Sequence, residues 1–547
     1  MKERALILLL AMLSVLSCGK EIPLQEQVVD SLSAEGATVY GKVECMGNPL
    51  AGVVVSDGVL TVRTDKGGVF RLKSSKKNGH VFISVPSGYR MAKASSVSAA
   101  FWTALKLGPE VAERVDFQLV KETGQENHTM LVMGDIHLYS SKSAAEFRSS
   151  VVPELAALVN EHTGGPLYGL TLGDMTWDWY WYANDFGIPS YLDEVARIPG
   201  LIIYNTVGNH DHDMNHDSLS EFRATGEDRT CQDSYRRHLG PTCYSFNIGQ
   251  VHYISLDDVI TTDTGGTTDK DSRGCMRGIT DADMKWLKQD LSYISKDTPI
   301  VVSMHIPLFN AKGTHSTYED SVNSGVADIT APFREYENVL FLCAHTHTMY
   351  SNHDMRVEDA DGESWTVTEW NCGALCGNFW TTAIKTGLNI CTSGAPGGYR
   401  LLNWNGRSMI SIFKALGKPN SYAFRSYDRN KMNLPKGTYT SGMSGKSDDN
   451  VVLVNVWDYR PGWTVSIREG NTELPVTRTL SHDPLYLLMY SEGLSTTTPT
   501  RSVNIFSARA SAPDSPLVIT VKDEYGNTYV ENMARPKDFT LEKYLSE

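Results

Sequence analysis

The sequence predicts an α/β central domain flanked by an N-terminal β-sandwich and a C-terminal β-rich domain. Three observations predict it. Between Thr129 and about Tyr350, apolar strand runs (MLVMGD, GLTLGD, LIIYNTVGNHD, PIVVSMHIP, VLFLCAHTH) alternate with helical stretches such as AAEFRSSVVPELAALVNEH and DADMKWLKQDLSYI. That order of strand then helix is the mark of a layered α/β domain. On either side the pattern changes to short alternating apolar runs separated by turn residues, which reads as antiparallel β-structure. Finally, 547 residues are too many for one core and imply about two to four domains.

The chain opens with MKERALILLLAMLSVLSCGK: a basic start, an apolar run from Ala5 to about Leu16, then small residues. The run is too short to span a bilayer and has signal-peptide proportions. Its end, Val15-Leu16-Ser17-Cys18, resembles the bacterial lipobox, in which the cysteine is lipidated and becomes the first mature residue. Residues 1–18 are therefore expected to be a lipoprotein signal peptide with Cys18 the lipidation site, and the polar stretch 19–36 a tether. The mature chain would be a soluble body held at the cell envelope by its lipid anchor alone, in the periplasm or at the outer-membrane surface.

Residues 37–122 carry TVYGKVEC, GNPLAGVVVSDG, TVRTDKGGVFRL and HVFISVP, the short strands of a small sandwich. This stretch resembles the transthyretin-like modules of secreted bacterial proteins, and it holds no cluster that suggests chemistry. Its expected role is spacing or packing. The α/β domain is expected over 123–355, and the C-terminal β-rich domain, with VVLVNVWDY, WTVSIREG and LVITVKDEYGNTYV, over 356–547.

A hydrophobic content of 41% with 21% charged residues describes a folded chain. The formal charge of −14 argues against nucleic acid or an anionic membrane surface as the partner. Beyond Cys18, eight cysteines remain: Cys45, Cys231, Cys243, Cys275, Cys343, Cys372, Cys376 and Cys391. Export permits disulfides; Cys231 with Cys243, and two among Cys372, Cys376 and Cys391, are plausible pairs, and buried free thiols are the other reading.

In the central domain nearly every candidate strand ends in a metal-binding side chain. They are Asp135 and His137 in GDIH, Asp174 in LGD, Asn209-His210-Asp211 in GNHD, His305 in SMHIP, and His345 and His347 in HTH. In open α/β sheets ligands bind at the carboxyl ends of the strands, so five such loops can converge on one edge. Residues i and i+2 of an extended segment share a face, so D-x-H and H-x-H present both side chains together. Glycine before a ligand allows the sharp turn and close backbone approach of a packed site. One DxH or HxH pair is ordinarily a surface pair or a satisfied core histidine, but five in order after β-type runs are a constellation.

The set GDIH…GD…GNHD…MH…HTH resembles the calcineurin-like metallophosphoesterase superfamily over about residues 129–350. GITDADMKWLKQDL resembles the helix these enzymes carry before the strand ending in His305, and GALCGNFWTT followed by CTSGAPGGYRLLNWNG resembles the C-terminal domain of a bacterial lipoprotein branch that also has the N-terminal sandwich. The resemblance implies a four-layer α/β/β/α domain and a dinuclear phosphoesterase. One metal would be held by Asp135, His137 and His347, the second by Asn209, His305 and His345, with Asp174 bridging. Two dications about 3.5 Å apart need shared anions, and a bridging carboxylate with a bridging hydroxide, the implied nucleophile, supplies them. Oxygen and imidazole ligands without thiolate suit manganese, iron or zinc. His210 would be the catalytic histidine that stabilises the transferring phosphoryl group and protonates the leaving oxygen, with Asp178 or Asp211 orienting it. Two positions depart from the family: Trp177 stands where many relatives have an acid, and Ala344 stands where a glycine is common.

The expected substrate is a phosphomonoester or phosphodiester, a small molecule or a lipid head group. Residues 177–182, WDWYWY, contain five aromatics, among which Trp177 and Trp179 are expected to line the cleft; a helical continuation would put Trp177 and Trp181 on one face. His315 can approach substrate. Arg273, Arg277 and Lys312 read as solvated surface charges, and 257–280 as a polar loop. Asn378, Phe379 and Trp380 either cover the cleft or pack a domain junction. A rival reading is an envelope lipoprotein that binds glycan or lipid on a retained phosphoesterase scaffold.

Overall fold

The computed structural model describes residues 36–214, 228–263, 273–316 and 323–546. Cys18, the signal peptide and the tether as far as residue 35 lie outside the described residues. The protein is a mixed α/β structure with several sheets. At its centre are two of them. One has five strands in the order Ile202–Tyr204, Leu167–Thr171, Thr129–Met133, Gly398–Asn405, Ser408–Ala415. The first three run parallel and the last two antiparallel. The other has six strands in the order Tyr244–Ile248, Val251–Ser255, Ile300–Ser303, Val339–Cys343, Ser364–Cys372, Met349–Glu358, parallel through its middle.

The strand Thr129–Met133 shows why these runs become strands. All five of its residues are buried. Met130 and Val132 join a core shared with Tyr253, Ile254 and Val302 of the second sheet. Leu131 and Met133 join a different core with Phe147, Val151, Leu155 and Tyr191 from the helical segments. A period of two thus sends alternate side chains to the facing sheet and to the helices.

The N-terminal residues form two further sheets, one around Val39–Cys45 and one of strands Thr61–Arg63, Val54–Ser56, His80–Ile83 and Trp102–Ala104. Their core is continuous with that of the central sheets. Phe101 lies 4.5 Å, centroid to centroid, from Tyr244, and the Asn247 amide donates to the Val85 carbonyl at 2.9 Å. Two four-stranded sheets near the C-terminus enclose a core containing Val452, Val454, Ile467, Ile519 and Val521.

Three expectations are corrected. Residues 356–415, expected with the C-terminal β-rich part, instead complete both central sheets through Ser364–Cys372, Gly398–Asn405 and Ser408–Ala415. Antiparallel strands added to a parallel sheet carry the same short alternating pattern as a separate β domain, so sequence could not divide them. The 257–280 insert is in part an antiparallel ribbon, Val259–Asp263 against Arg273–Arg277. Cys243, Cys372, Cys376 and Cys391 are buried free thiols, so the suggested pairs do not form. Among the described residues no helix is long and apolar enough to cross a membrane.

Candidate metal centre

The parallel strands of both central sheets deliver their carboxyl ends to one edge, and the five loops that follow them meet there. The turns are tight. Asp135, His137, Asp174, His345 and His347 all have positive φ, between 45° and 65°, a conformation that costs on the order of 1–3 kcal/mol per non-glycine residue. Glycines make room for the approach. A Cβ on Gly208 would lie 2.2 Å from the Asp174 amide nitrogen, and one on Gly173 2.5 Å from His305 Nδ1. A Cβ on Gly134 would lie 2.7 Å from the Ala344 methyl, so the alanine before His345 occupies space that Gly134 leaves open.

All seven sequence-predicted ligands are brought together. Asp174 Oδ2 lies 3.4 Å from His137 Nε2 and 3.2 Å from His305 Nε2. His137 Nε2 and His347 Nε2 are 3.0 Å apart. Asn209 Oδ1 lies 2.9 Å from His305 Nε2 and 2.8 Å from His345 Nδ1. Asp135 accepts the His345 amide through Oδ1 at 3.1 Å. Three overlapping groups of possible ligands have their atoms within 4.8 Å of one another, and Asp174 belongs to two of them, once with Asp135 and His137 and once with His305 and His345.

The donor set fits cations. His305 Nδ1 donates to the Leu172 carbonyl at 2.7 Å and His347 Nδ1 to the Gly377 carbonyl at 2.6 Å. A carbonyl only accepts, so each ring, when neutral, turns the lone pair of Nε2 toward its neighbours in the cluster. Asp135 Oδ2 is buried with no hydrogen-bond partner, a state that costs free energy unless a ligand satisfies it. Burial opposes charge on His305, but the Asp174 carboxylate overrides it and holds the imidazole up at about 10. Burial pushes Asp135 up to about 8, His345 down to about 3 and His347 down to about 4. A cation between these groups balances Asp174 without any proton, and metal binding to such a site releases one.

His210 stands beside this cluster. Its amide donates to Asp174 Oδ1 at 2.8 Å, and its Nδ1 lies 2.7 Å from Asp178 Oδ1. Burial disfavours its charge, yet Asp174 and the hydrogen-bonded Asp178 prevail and raise its pKa. Asp211 is engaged elsewhere. Its carboxylate accepts the amides of Gly208, Met175 and Thr176 and the Thr176 hydroxyl, at 3.0–3.2 Å. It ties the Asp174 loop to the Asn209 loop, while Asp178 is the acid found on the His210 ring.

The aromatic run divides. Trp177 is half-buried, stacked on Phe379 at 4.4 Å, and its ring centroid is 5.4 Å from His137 and 5.5 Å from His210. Trp181 is buried in the core and donates from Nε1 to Thr176 Oγ1 at 3.0 Å. The two do not share a helical face, because Trp177 is extended (φ −143°) and the single 3-10 turn begins at Asp178. Trp179 is 63% exposed. Phe379 also packs 4.2 Å from His347 and 4.8 Å from His137, whereas Asn378 and Trp380 are buried and Trp380 donates to the Ile136 carbonyl at 2.8 Å.

His315 is exposed and packs against Phe309 in a short bridge. Lys312 is exposed, and the Arg273 side chain lies outside the described residues. Arg277 is not a surface charge. It is fully buried and donates to Pro307 O, Ser316 Oγ and Ser324 O.

Two buried acids were missed in the sequence. Asp258 accepts the amides of His305 and Ile306, both at 2.9 Å, and Glu369 those of Leu308 and Phe309. Burial raises them to about 6 and about 8 against the pull of those amides. Asp258 follows the strand Val251–Ser255, so its place at a strand end was the available signal.

Geometry and chemistry together define a mixed α/β protein with a candidate metal-binding cluster of aspartate and histidine side chains at its strand ends. Residues 37–122 match the family description "N terminal of Calcineurin-like phosphoesterase" and residues 369–529 match "C terminal of Calcineurin-like phosphoesterase". The chain belongs to the calcineurin-like metallophosphoesterase superfamily, whose members hydrolyse phosphoesters. No curated protein sequence matches it. Among solved structures it is similar to PhoD, at 10% identity and a TM-score of 0.36, over 75% of this chain and 85% of that one. It is also similar to a provisional 5′-nucleotidase of Staphylococcus aureus in complex with α-ketoglutarate, at 14% identity and a TM-score of 0.30, over 53% and 54%. A third is the cold-active protein-tyrosine phosphatase of a psychrophilic Shewanella species, at 11% identity and a TM-score of 0.22, over 61% and 92%. Scores this low define no shared fold.

Proposed function

We propose that the protein is a dinuclear metal-dependent phosphoesterase, anchored at the cell envelope through Cys18, that hydrolyses a phosphomonoester or phosphodiester. The observation that carries this reading is the convergence of seven oxygen and imidazole ligands from five strand ends, with Asp174 common to two groups. Asp135, His137 and His347 would hold one ion and Asn209, His305 and His345 the other, with Asp174 between them. Manganese, iron or zinc suits this set. When bound, the pair supplies Lewis acidity to the phosphoryl group and an activated water.

The chain's own residues supply the rest. Asp178 takes Nδ1 of His210, so the transferable proton of the imidazolium is on Nε2, and Asp174 with Asp178 favours the protonated ring. His210 is then suited to neutralise charge on the phosphoryl oxygens and to protonate the leaving oxygen. Asp211 and Asp258 hold the loops of Asn209 and His305 by their amides. Phe379 and Trp177 shield one side of His137 and His347 from water. In the same reading the central sheets form the inner layers of an α/β/β/α domain, with β-domains on either side, and the substrate is a small phosphoester or lipid head group, without nucleic acid.

The test is elemental analysis of the mature protein together with turnover of p-nitrophenyl phosphate and bis-p-nitrophenyl phosphate under manganese, iron and zinc. About two ions per chain and metal-dependent turnover are expected. A metal-free protein inert on every phosphoester would leave the binding-protein reading in its place.

A further inference from the structure

The phosphoesterase reading puts the leaving oxygen at His210, and the rest of the leaving group must lie against whatever stands next to that ring. Two indoles stand there, half-buried Trp177 with its centroid at 5.5 Å and, on the open side, Trp179. Its indole is 6.2 Å from the His210 imidazole, centroid to centroid, at an interplanar angle of 89°. The chain registers the two rings to one another. Asp178 is bonded to His210 Nδ1 at 2.7 Å, and Trp179 is the next residue of the same 3-10 turn. Yet 63% of Trp179 is exposed, so most of a large apolar ring beside the chemistry remains to be covered.

Behind Trp179 the wall is fixed. Trp177 lies 6.0 Å from it at 37°, and Trp177 in turn is stacked on Phe379 at 4.4 Å, which packs on His347 at 4.2 Å. An aromatic surface therefore runs from the metal ligands out to Trp179, half-buried at Phe379 and Trp177 and open at the outer end. A planar ring carried on the leaving oxygen has two faces to offer and needs no charge to be held there. Trp181, by contrast, is committed to the core.

We propose that Trp179, backed by Trp177, is a leaving-group subsite that takes a planar aromatic ring, aryl or nucleobase, an assignment that rests on the phosphoesterase reading. Aromatic stacking of this kind changes affinity by up to about tenfold when one ring is removed.

The experiment compares benzyl with n-butyl esters, as phosphates and as methyl phosphodiesters, since both leaving groups are alcohols of similar basicity. The readout is the ratio of kcat/KM for benzyl over butyl in the metal-loaded full-length mature protein. Trp179→Ala is expected to lower that ratio about tenfold, mainly through KM, and Trp179→Phe to keep most of it. A ratio within twofold of wild type in Trp179→Ala overturns the subsite. If the wild-type protein hydrolyses neither ester class nor bis-p-nitrophenyl phosphate under any of the three metals, the phosphoesterase reading falls and the subsite with it. Equal loss in Trp179→Ala and Trp179→Phe also overturns it, because a stacking platform tolerates phenylalanine.

Discussion

Gly208→Ala isolates close packing as a cause of site assembly. The backbone at Gly208 has φ −115°, which alanine adopts freely, so the substitution carries no conformational penalty. Space is the only obstacle. The added methyl would lie 2.2 Å from the Asp174 amide nitrogen, 2.4 Å from Asp174 Oδ1 and 2.9 Å from the Gly173 carbonyl carbon. Two of these are main-chain atoms of a turn already at φ 53° and 87°, so they cannot swing aside as a side-chain tip would. Relief requires the Asn209 loop and the Asp174 loop to separate by about 1 Å, against the Asp211 carboxylate that binds both. Overpacking of this kind costs roughly 3 kcal/mol. For a cooperative unit of about 380 residues, from the N-terminal sheets through Ala415, that is a fall of about 4 °C in Tm. The separation also takes Asp174 from its imidazole partners, so metal content and phosphoester turnover should fall together. Gly108→Ala serves as control, since its methyl would meet nothing within 4 Å. Calorimetry and elemental analysis decide the matter: a Gly208→Ala protein within 2 °C of wild type, with its metals retained, refutes the packing account.

Three further outcomes are expected. Asp178→Asn keeps the shape of the His210 partner but removes its charge, so kcat should drop about 10–100-fold with KM little changed. The alkaline limb of the pH–rate profile should also move to lower pH, because Asp178 helps hold His210 protonated. Asp258→Asn turns an amide donor toward one of two backbone amides now accepted at 2.9 Å, and about 2–4 kcal/mol of stability should be lost in urea unfolding. His128 is held neutral by burial, with its pKa down to about 4, between the Gln125 carbonyl and the Tyr253 hydroxyl. The stability it contributes is whole above the unfolded value near 6.5 and is lost as pH falls toward 4, by up to about 3 kcal/mol; His128→Gln should flatten the stability curve over that window.

What the sequence made legible was what a short stretch can carry. Each ligand lies within a few residues of the strand that delivers it, so GDIH, LGD, GNHD, SMHIP and HTH could be read one at a time and then together. What stayed hidden depends on partners far along the chain. Arg277 looks like a surface charge until Pro307, Ser316 and Ser324 close around it. The strand Gly398–Asn405 looks like part of a separate β-domain until it pairs with Thr129–Met133. The aromatic run misled because its helical phase starts one residue late, at Asp178 rather than Trp177.

The C-terminal contribution joins these two cases. His347 takes its ring orientation from the Gly377 carbonyl, and its outer face is covered by Phe379. Both residues lie past the last motif, in GALCGNFWTT. The Leu375 amide donates to the Gly134 carbonyl at 2.8 Å and the Cys376 amide to the Asp135 carbonyl at 3.2 Å, so the same segment also fixes the first ligand loop. The ligands are written in the span 129–350, but the tautomer of one and the backbone of another are set from outside it. A site of this kind forms only when the chain has folded through Ala415, since two strands of one central sheet and one of the other lie beyond residue 360.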